Sequence, residues 1–428
     1  MTSRVARAIV LGTLRNLHGG ELRIVEPGRQ TVLGTPSSLA TTVTIRDPRA
    51  WSAFLRGSFG LAASYRDGWW DCDDVVALTR IAARNVHGLD RLRARIAPVW
   101  HPVQRTARRV HAPTIGRSRR QIAAHYDLGN DLFALFLDET MSYSAGFFEA
   151  PSSTLHEASV AKLDRVCRKL DLGSADHLLE IGSGWGALAV HAAGNYGCRV
   201  TTTTISTEQH ALATERVRAA GLEHRVTVLL QDYRELGGTY DKLVSIEMIE
   251  AVGWQFFDAY FRRCSELLEP HGAMLLQAIT IDDRAYEVEK GGRSFSNTLI
   301  FPGGCLPSLE VIDGCVARET DMRPVEIEDM TPHYVRTLAA WRTRFAAASE
   351  CLEGLGYDER FRRLWNFYLS YSQGGFAERR IQVAQHLLAK PRFSVRLRAA
   401  GTEPGRRPET GRATAEPGRA FAAGAQPG

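Results

Sequence analysis

From residue 177 to residue 280, short apolar runs alternate with amphipathic stretches. HLLEI (177–181) is a short apolar run followed by glycines, after which ALAVHAAGNY has helical spacing. CRVTTTTI is followed by STEQHALATERVRAAG, RVTVLLQD by YDKLVSIEMI, and AMLLQAIT comes later. Strands that alternate with helical patterns predict right-handed βαβ units. The expected fold class is α/β, a doubly wound and mostly parallel sheet, with a smaller α+β domain in front of it.

The rest of the chain divides by composition. Residues 1–90 contain one clear strand, VTIRD, and a mixed aromatic and glycine-containing stretch, WSAFLRGSFGLAASYRDGWWDC. Residues 91–120 hold nine arginines and no Asp or Glu, so although the whole chain carries only +5, the remainder sums to −4. Such a local basic patch, with Trp100 and the preceding Trp69-Trp70 pair, suits an anionic lipid surface; a solvated interdomain connector is the equal alternative. Residues 121–395 carry the recognisable chemistry. From 396 to 428 the chain turns to Gly, Pro, Ala and charge, a composition that predicts disorder.

Three function classes are disfavoured. The seven cysteines are scattered without CxxC spacing, so no metal site and no disulfide framework is expected. No apolar run approaches the ~20 residues of a membrane-spanning helix, and AIVLG near the N-terminus is interrupted too early for a secretory signal. A cytoplasmic protein is expected. Nucleic acid is disfavoured because no recognition motif accompanies the arginines.

Glu180-Ile-Gly-Ser-Gly-Trp-Gly186 stands at the end of an apolar strand and opens a helix. Gly182 and Gly184 allow a sharp turn and a close approach to a ligand at the carboxyl edge of the sheet. The third glycine follows the second by two residues, where a dinucleotide fingerprint places it three later. Glu180 suits a cationic amino-acid group and would repel a pyrophosphate. At the next strand ends, Thr204, Ile205 and Gln209 are placed for ribose hydroxyls, while Asp232 and Tyr233 are placed for an adenine. For Asp232 a helix N-cap is the commoner role.

HYDLGNDLFALFLDETMSYSAGFF (125–148), LLEIGSGWG (178–186), TTISTEQ (203–209), QDYREL (231–236), VSIEMIEAVG (244–253) and FPGGCLPS (301–308) occur in that order. Together they closely resemble the cyclopropane-fatty-acyl-phospholipid and mycolic acid cyclopropane synthases, and LWNFYLSYSQGGFAERRIQVAQHLLAK (364–390) fits as well. The resemblance implies a Rossmann-like class I methyltransferase fold with S-adenosylmethionine as methyl donor. It gives Tyr143 and Ser144 to the methionine end, Gly182 and Gly184 to the donor backbone, Thr204, Ile205 and Gln209 to the ribose, Tyr233 to the adenine, and Ile246 a place beside the donor. Without it, Tyr143 and Ile246 read as core packing.

It also implies a reaction: methylation of the double bond of an unsaturated phospholipid acyl chain, at the inner face of a membrane, by a peripheral protein. A homodimer is admitted. Attack of an alkene on the sulfonium methyl leaves a carbocation, and the family's proton acceptor is a bound bicarbonate. Glu250, Ile279 and Tyr334 fall on residues that hold this ion. Two others differ: the family's Cys is Ala145 here, and its His is Gln277. The ion site is then weakened, rebuilt by Gln277 and Glu250, or absent, and a methylene- or methyl-branched chain competes with the cyclopropane as product. Glu247, three residues before Glu250, is the competing carboxylate. A small-molecule N-methyltransferase and a relative without turnover are the rival readings.

Overall fold

The computed structural model describes residues 2–86 and 129–394, apart from 291 and 293. The arginine-rich connector, residues 125–128 of the first family block and the tail lie outside the described residues.

The main sheet has seven strands: β5 (His177–Ile181), β6 (Arg199–Thr204), β7 (Val226–Leu230), β8 (Tyr240–Ile246), β9 (Leu268–Ile281), β10 (Arg323–Asp329) and β11 (Ile381–Ala389). Their order is β10-β11-β9-β8-β5-β6-β7, parallel from β9 to β7, with β11 and β10 added antiparallel at one edge. Four of the five residues of β5 are buried, as expected of a strand covered on both faces. The chain leaves β5 for β6 on one side and returns to β8 on the other. The turn after β5 therefore stands where strand order reverses, the crevice in which such sheets bind ligands.

The smaller sheet has the order β2-β1-β3-β4, from β1 (Glu21–Glu26), β2 (Arg29–Gly34), β3 (Ala40–Ile45) and β4 (Trp70–Cys72). It does not stand apart from the larger layer. Trp70 is fully buried and meets Phe367 edge-on at 6.3 Å. Arg363 donates to the carbonyls of Tyr65 and Trp70 at 2.7 and 2.9 Å, and pairs with Asp71 at 2.7 Å. Phe367 and Arg363 both belong to the helix Glu359–Ala377, which thus ties residues 2–86 to the larger layer. Phe133, Phe136, Trp341 and Trp365 pack in the same hydrophobic cluster. No described helix is long and apolar enough to cross a membrane.

Candidate active site

Three glycines shape the turn after β5. Gly182, Gly184 and Gly186 have φ of 96°, 48° and 86°, values that favour glycine. The N–H groups of Gly182 and Ser183 both reach the Thr203 carbonyl, at 3.0 and 2.9 Å, which anchors the turn to β6. A Cβ at Gly184 would meet nothing within 4 Å, so the backbone there borders open space. That space is a cavity of about 770 Å³. Gly182, Gly184, Glu180, Thr204, Ile205, Gln209, Asp232, Tyr233, Ile246, Tyr143 and Ser144 all line it, so every residue expected to hold the methyl donor faces one cavity.

The side chains around this end are already braced. The Thr204 hydroxyl donates to Oε1 of Gln209 at 2.9 Å. The Tyr143 ring stacks on Trp341 at 5.2 Å, and its hydroxyl shares a hydrogen bond with Tyr368. Asp232 caps a short turn, accepting from the Arg234 backbone, and is gripped by the Arg234 guanidinium at 2.9 and 2.7 Å. The capping role is therefore real. Asp232 also lines the cavity, where an adenine amino group is expected. Glu180 is buried and accepts from Thr202 at 2.6 Å; burial pushes it up to about 8, against the pull of Thr202 and Lys162.

Deeper in the cavity lies a pair of buried carboxyls. Glu247 receives three donors: the Ala145 N–H at 2.9 Å and Gln277 Nε2 at 2.8 Å on one oxygen, and the Tyr334 hydroxyl at 2.8 Å on the other. Gln277 is held in that orientation because its own oxygen accepts from Gln385 at 3.0 Å. Glu250 accepts the Ile279 N–H at 2.5 Å, and its second oxygen is buried with no hydrogen-bond partner. Burial, with the neighbouring Glu247 charge, raises Glu250 to about 8. Burial also raises Glu247, but its three donors pull it back. The two carboxyls differ in their partners: Glu247 has three donors that favour its charged form, where Glu250 has the Ile279 N–H on one oxygen. Lys162 is a buried amine that donates to Ser144 at 3.1 Å; burial lowers its pKa, against the attraction of Glu247.

Tyr334, Ile279 and Glu250 line the cavity, and Gln277 stands behind Glu247. The grouping differs from expectation in one respect. Gln277 and Tyr334 converge on Glu247 instead of combining with Glu250, and the Ile279 N–H is occupied by Glu250. Sequence reasoning passed over one residue here and ranked another second. Lys162 gave no signal, lying in an ordinary amphipathic helix, Leu155–Lys169. Glu247 was visible only as a second glutamate near a strand end. The cavity's apolar lining includes Phe54, Leu61, Ala83 and Val86 from the N-terminal part, together with Phe295, Phe301 and Leu306, with Thr79, Asn297, Glu289 and Arg380 among its polar residues.

A glycine turn at the switch point of this sheet, with an acidic residue before it and the residues expected to meet an adenosine on the next two strand ends, is the arrangement expected of an S-adenosylmethionine-dependent methyltransferase. Comparison with known proteins narrows the class. The family model for mycolic acid cyclopropane synthetase matches residues 114–386. Tuberculostearic acid methyltransferase UfaA1 of Mycobacterium tuberculosis is 36% identical over 377 residues, covering 82% of this chain and 86% of the relative. Cyclopropane-fatty-acyl-phospholipid synthase of Escherichia coli is 36% identical over 361 residues, covering 82% and 89%. The solved structure of mycolic acid cyclopropane synthase CmaA1 complexed with SAH and CTAB superposes with a TM-score of 0.60 at 32% identity, covering 64% of this chain and 98% of that one. The chain belongs to the cyclopropane synthase family, whose members are S-adenosylmethionine-dependent lipid methyltransferases that form cyclopropanes or methyl branches.

Proposed function

We propose that this enzyme transfers a methyl(ene) group from S-adenosylmethionine to the double bond of an unsaturated phospholipid acyl chain, forming a cyclopropane fatty acid. One observation carries the reading: Gly182 and Gly184, the carboxyl pair, and apolar residues from both sheets' layers all line one cavity. When bound, the donor supplies an electrophilic methyl. The protein's part is to hold the alkene in line with that methyl, exclude water and accept a proton. Phe54, Leu61 and Ala83 supply a dry wall for a hydrocarbon chain, which a small polar amine would not need. The chain has to leave a bilayer, so the enzyme works as a peripheral protein on the cytoplasmic face of the membrane.

A methylene- or methyl-branched product is the second reading. It is favoured by Ala145 and Gln277 standing where ring-forming relatives have Cys and His, and by the relative named a tuberculostearic acid methyltransferase. Expression in a host rich in monounsaturated phospholipids, followed by mass spectrometry of the fatty acid methyl esters, tests both. A gain of one CH2 on unsaturated chains is expected, and fragmentation separates ring from branch. Unchanged acyl chains in cells holding donor-binding enzyme would defeat the proposal.

A further inference from the structure

We infer that the Glu247 carboxylate is the enzyme's own proton acceptor and takes the place of the bicarbonate ion used by the family it resembles. The inference rests on the alkene-methylation reading above. It starts from where the donors point. The Ala145 N–H, the Gln277 amide and the Tyr334 hydroxyl belong to three of the positions expected to surround the ion, and all three donate to Glu247. A fourth, the Ile279 N–H, donates to Glu250. These four donors are already used. A free anion would also sit beside the Glu247 carboxylate, a repulsive arrangement in a low-dielectric cavity. Bicarbonate does not fit the residues present.

The backbone supports the same assignment. Glu247 has φ +48°, in the left-handed region where glycine is the default residue. A side chain there costs on the order of 1 kcal/mol or more, and such outliers persist where the surroundings hold them. Here three hydrogen bonds and the attraction of buried Lys162 hold the carboxylate at the cavity wall.

The step balances without any further reagent. The alkene's π pair forms a C–C bond to the donor methyl as the S–C bond breaks, leaving a cation on the second alkene carbon. A C–H bond of the transferred methyl then breaks. Its electron pair closes the ring, or forms an exocyclic methylene after a hydride shift, and the proton passes to a Glu247 oxygen. The Gln277, Ala145 and Tyr334 donors act as positioning groups for that oxygen.

Two measurements on the full-length protein decide the matter. The first needs no lipid: line broadening of [13C]bicarbonate in the presence of wild type, Glu247→Gly and Glu247→Gln. Wild type should not bind, while Glu247→Gly, which relieves the backbone and vacates the donors, should. Bicarbonate binding by wild type would overturn the inference whichever substrate the enzyme uses. The second is turnover in CO2-free buffer. Wild type should not respond to added bicarbonate. Glu247→Gln and Glu247→Gly should each lose about a hundredfold or more in turnover, and only the glycine variant should recover, at least about tenfold, when bicarbonate is added. Donor binding by calorimetry should be unchanged in both variants. Full activity of Glu247→Gln would overturn the assignment. A wild-type enzyme that modifies no acyl chain would instead defeat the functional reading, and the binding measurement would still decide whether Glu247 fills the ion's place.

Discussion

The Tyr334 hydroxyl donates to Oε2 of Glu247 at 2.8 Å, joining the helix Thr331–Ala347 to the end of β8. Tyr334 is buried, and burial beside Glu247 holds its hydroxyl protonated, so it is a fixed donor. Tyr334→Phe keeps the ring packing against Phe376 and removes only this bond. A hydrogen bond to a charged group is worth about 1.5–3 kcal/mol, which corresponds to roughly a ten- to hundredfold loss of turnover if the bond matters most as the reaction proceeds. Steady-state kinetics should show that loss in kcat with donor KM little changed. A change confined to donor KM would place Tyr334 in the donor site.

Glu250 and Glu180 make stability depend on pH. Each has a folded-state pKa of about 8 against an ordinary 4.5. Between those values the folded protein keeps a proton that the unfolded chain has released, so stability falls as pH rises, by ~1.4 kcal/mol per unit for each group. His386 acts in the opposite sense lower down. Burial lowers it from 6.5 to about 4, so stability falls as pH drops through that interval. Glu250→Gln removes one of the two raised groups. Its melting temperature should decline less than that of wild type between pH 6 and pH 8.5, while donor affinity stays nearly constant. Parallel melting curves would show that Glu250 ionises freely in the folded protein.

Gly184 tests how closely the donor approaches the backbone. Its φ of 48° strains any side chain by on the order of 1 kcal/mol, but a Cβ there would meet nothing in the protein and would occupy ligand space. Gly184→Val should weaken donor binding about tenfold or more, a loss of ~1.4 kcal/mol or greater. Isothermal titration measures the affinity, and far-UV circular dichroism should confirm retained structure. Equal affinity would mean that the donor does not approach the backbone there.

The parallel half of the sheet was legible because its strands carry short apolar or β-branched runs closed by turn residues. HLLEI became β5 and ALAVHAAGNY became the helix Ala187–Tyr196 without adjustment. The antiparallel edge was not. β11 begins four residues after a 19-residue helix ends, and no proline or asparagine marks the change of period. The residues expected to hold the donor were picked out at strand ends, and topology brings them to the wall of one cavity. The carboxyl site was readable only in part. Glu247 and Glu250 are three residues apart, and which of them gathers Ala145, Gln277 and Tyr334 depends on a left-handed backbone at Glu247 that no residue type announces. The N-terminal wall of the cavity depends on long-range packing against the helix Glu359–Ala377 and left no local trace.

That packing can be tested at one glycine. Gly374 lies in the helix Glu359–Ala377, where alanine would ordinarily be favoured by about 1 kcal/mol. A Cβ there would fall 2.7 Å from Thr79 Cβ and 3.0 Å from the Val76 carbonyl oxygen. Thr79 and Val76 sit in the helix 75–86, which also supplies Ala82, Ala83 and Val86 to the cavity. Overpacking of this kind costs ~1–3 kcal/mol, more than the gain in helix propensity, so Gly374→Ala should lower the melting temperature. It should also push the helix 75–86 outward and open the apolar wall. Acyl turnover should therefore fall while donor affinity is kept, because the glycine turn after β5 is built from other elements. A variant that is stabilised and fully active would show that the two helices separate at no cost, and that the N-terminal part does not shape the acyl site.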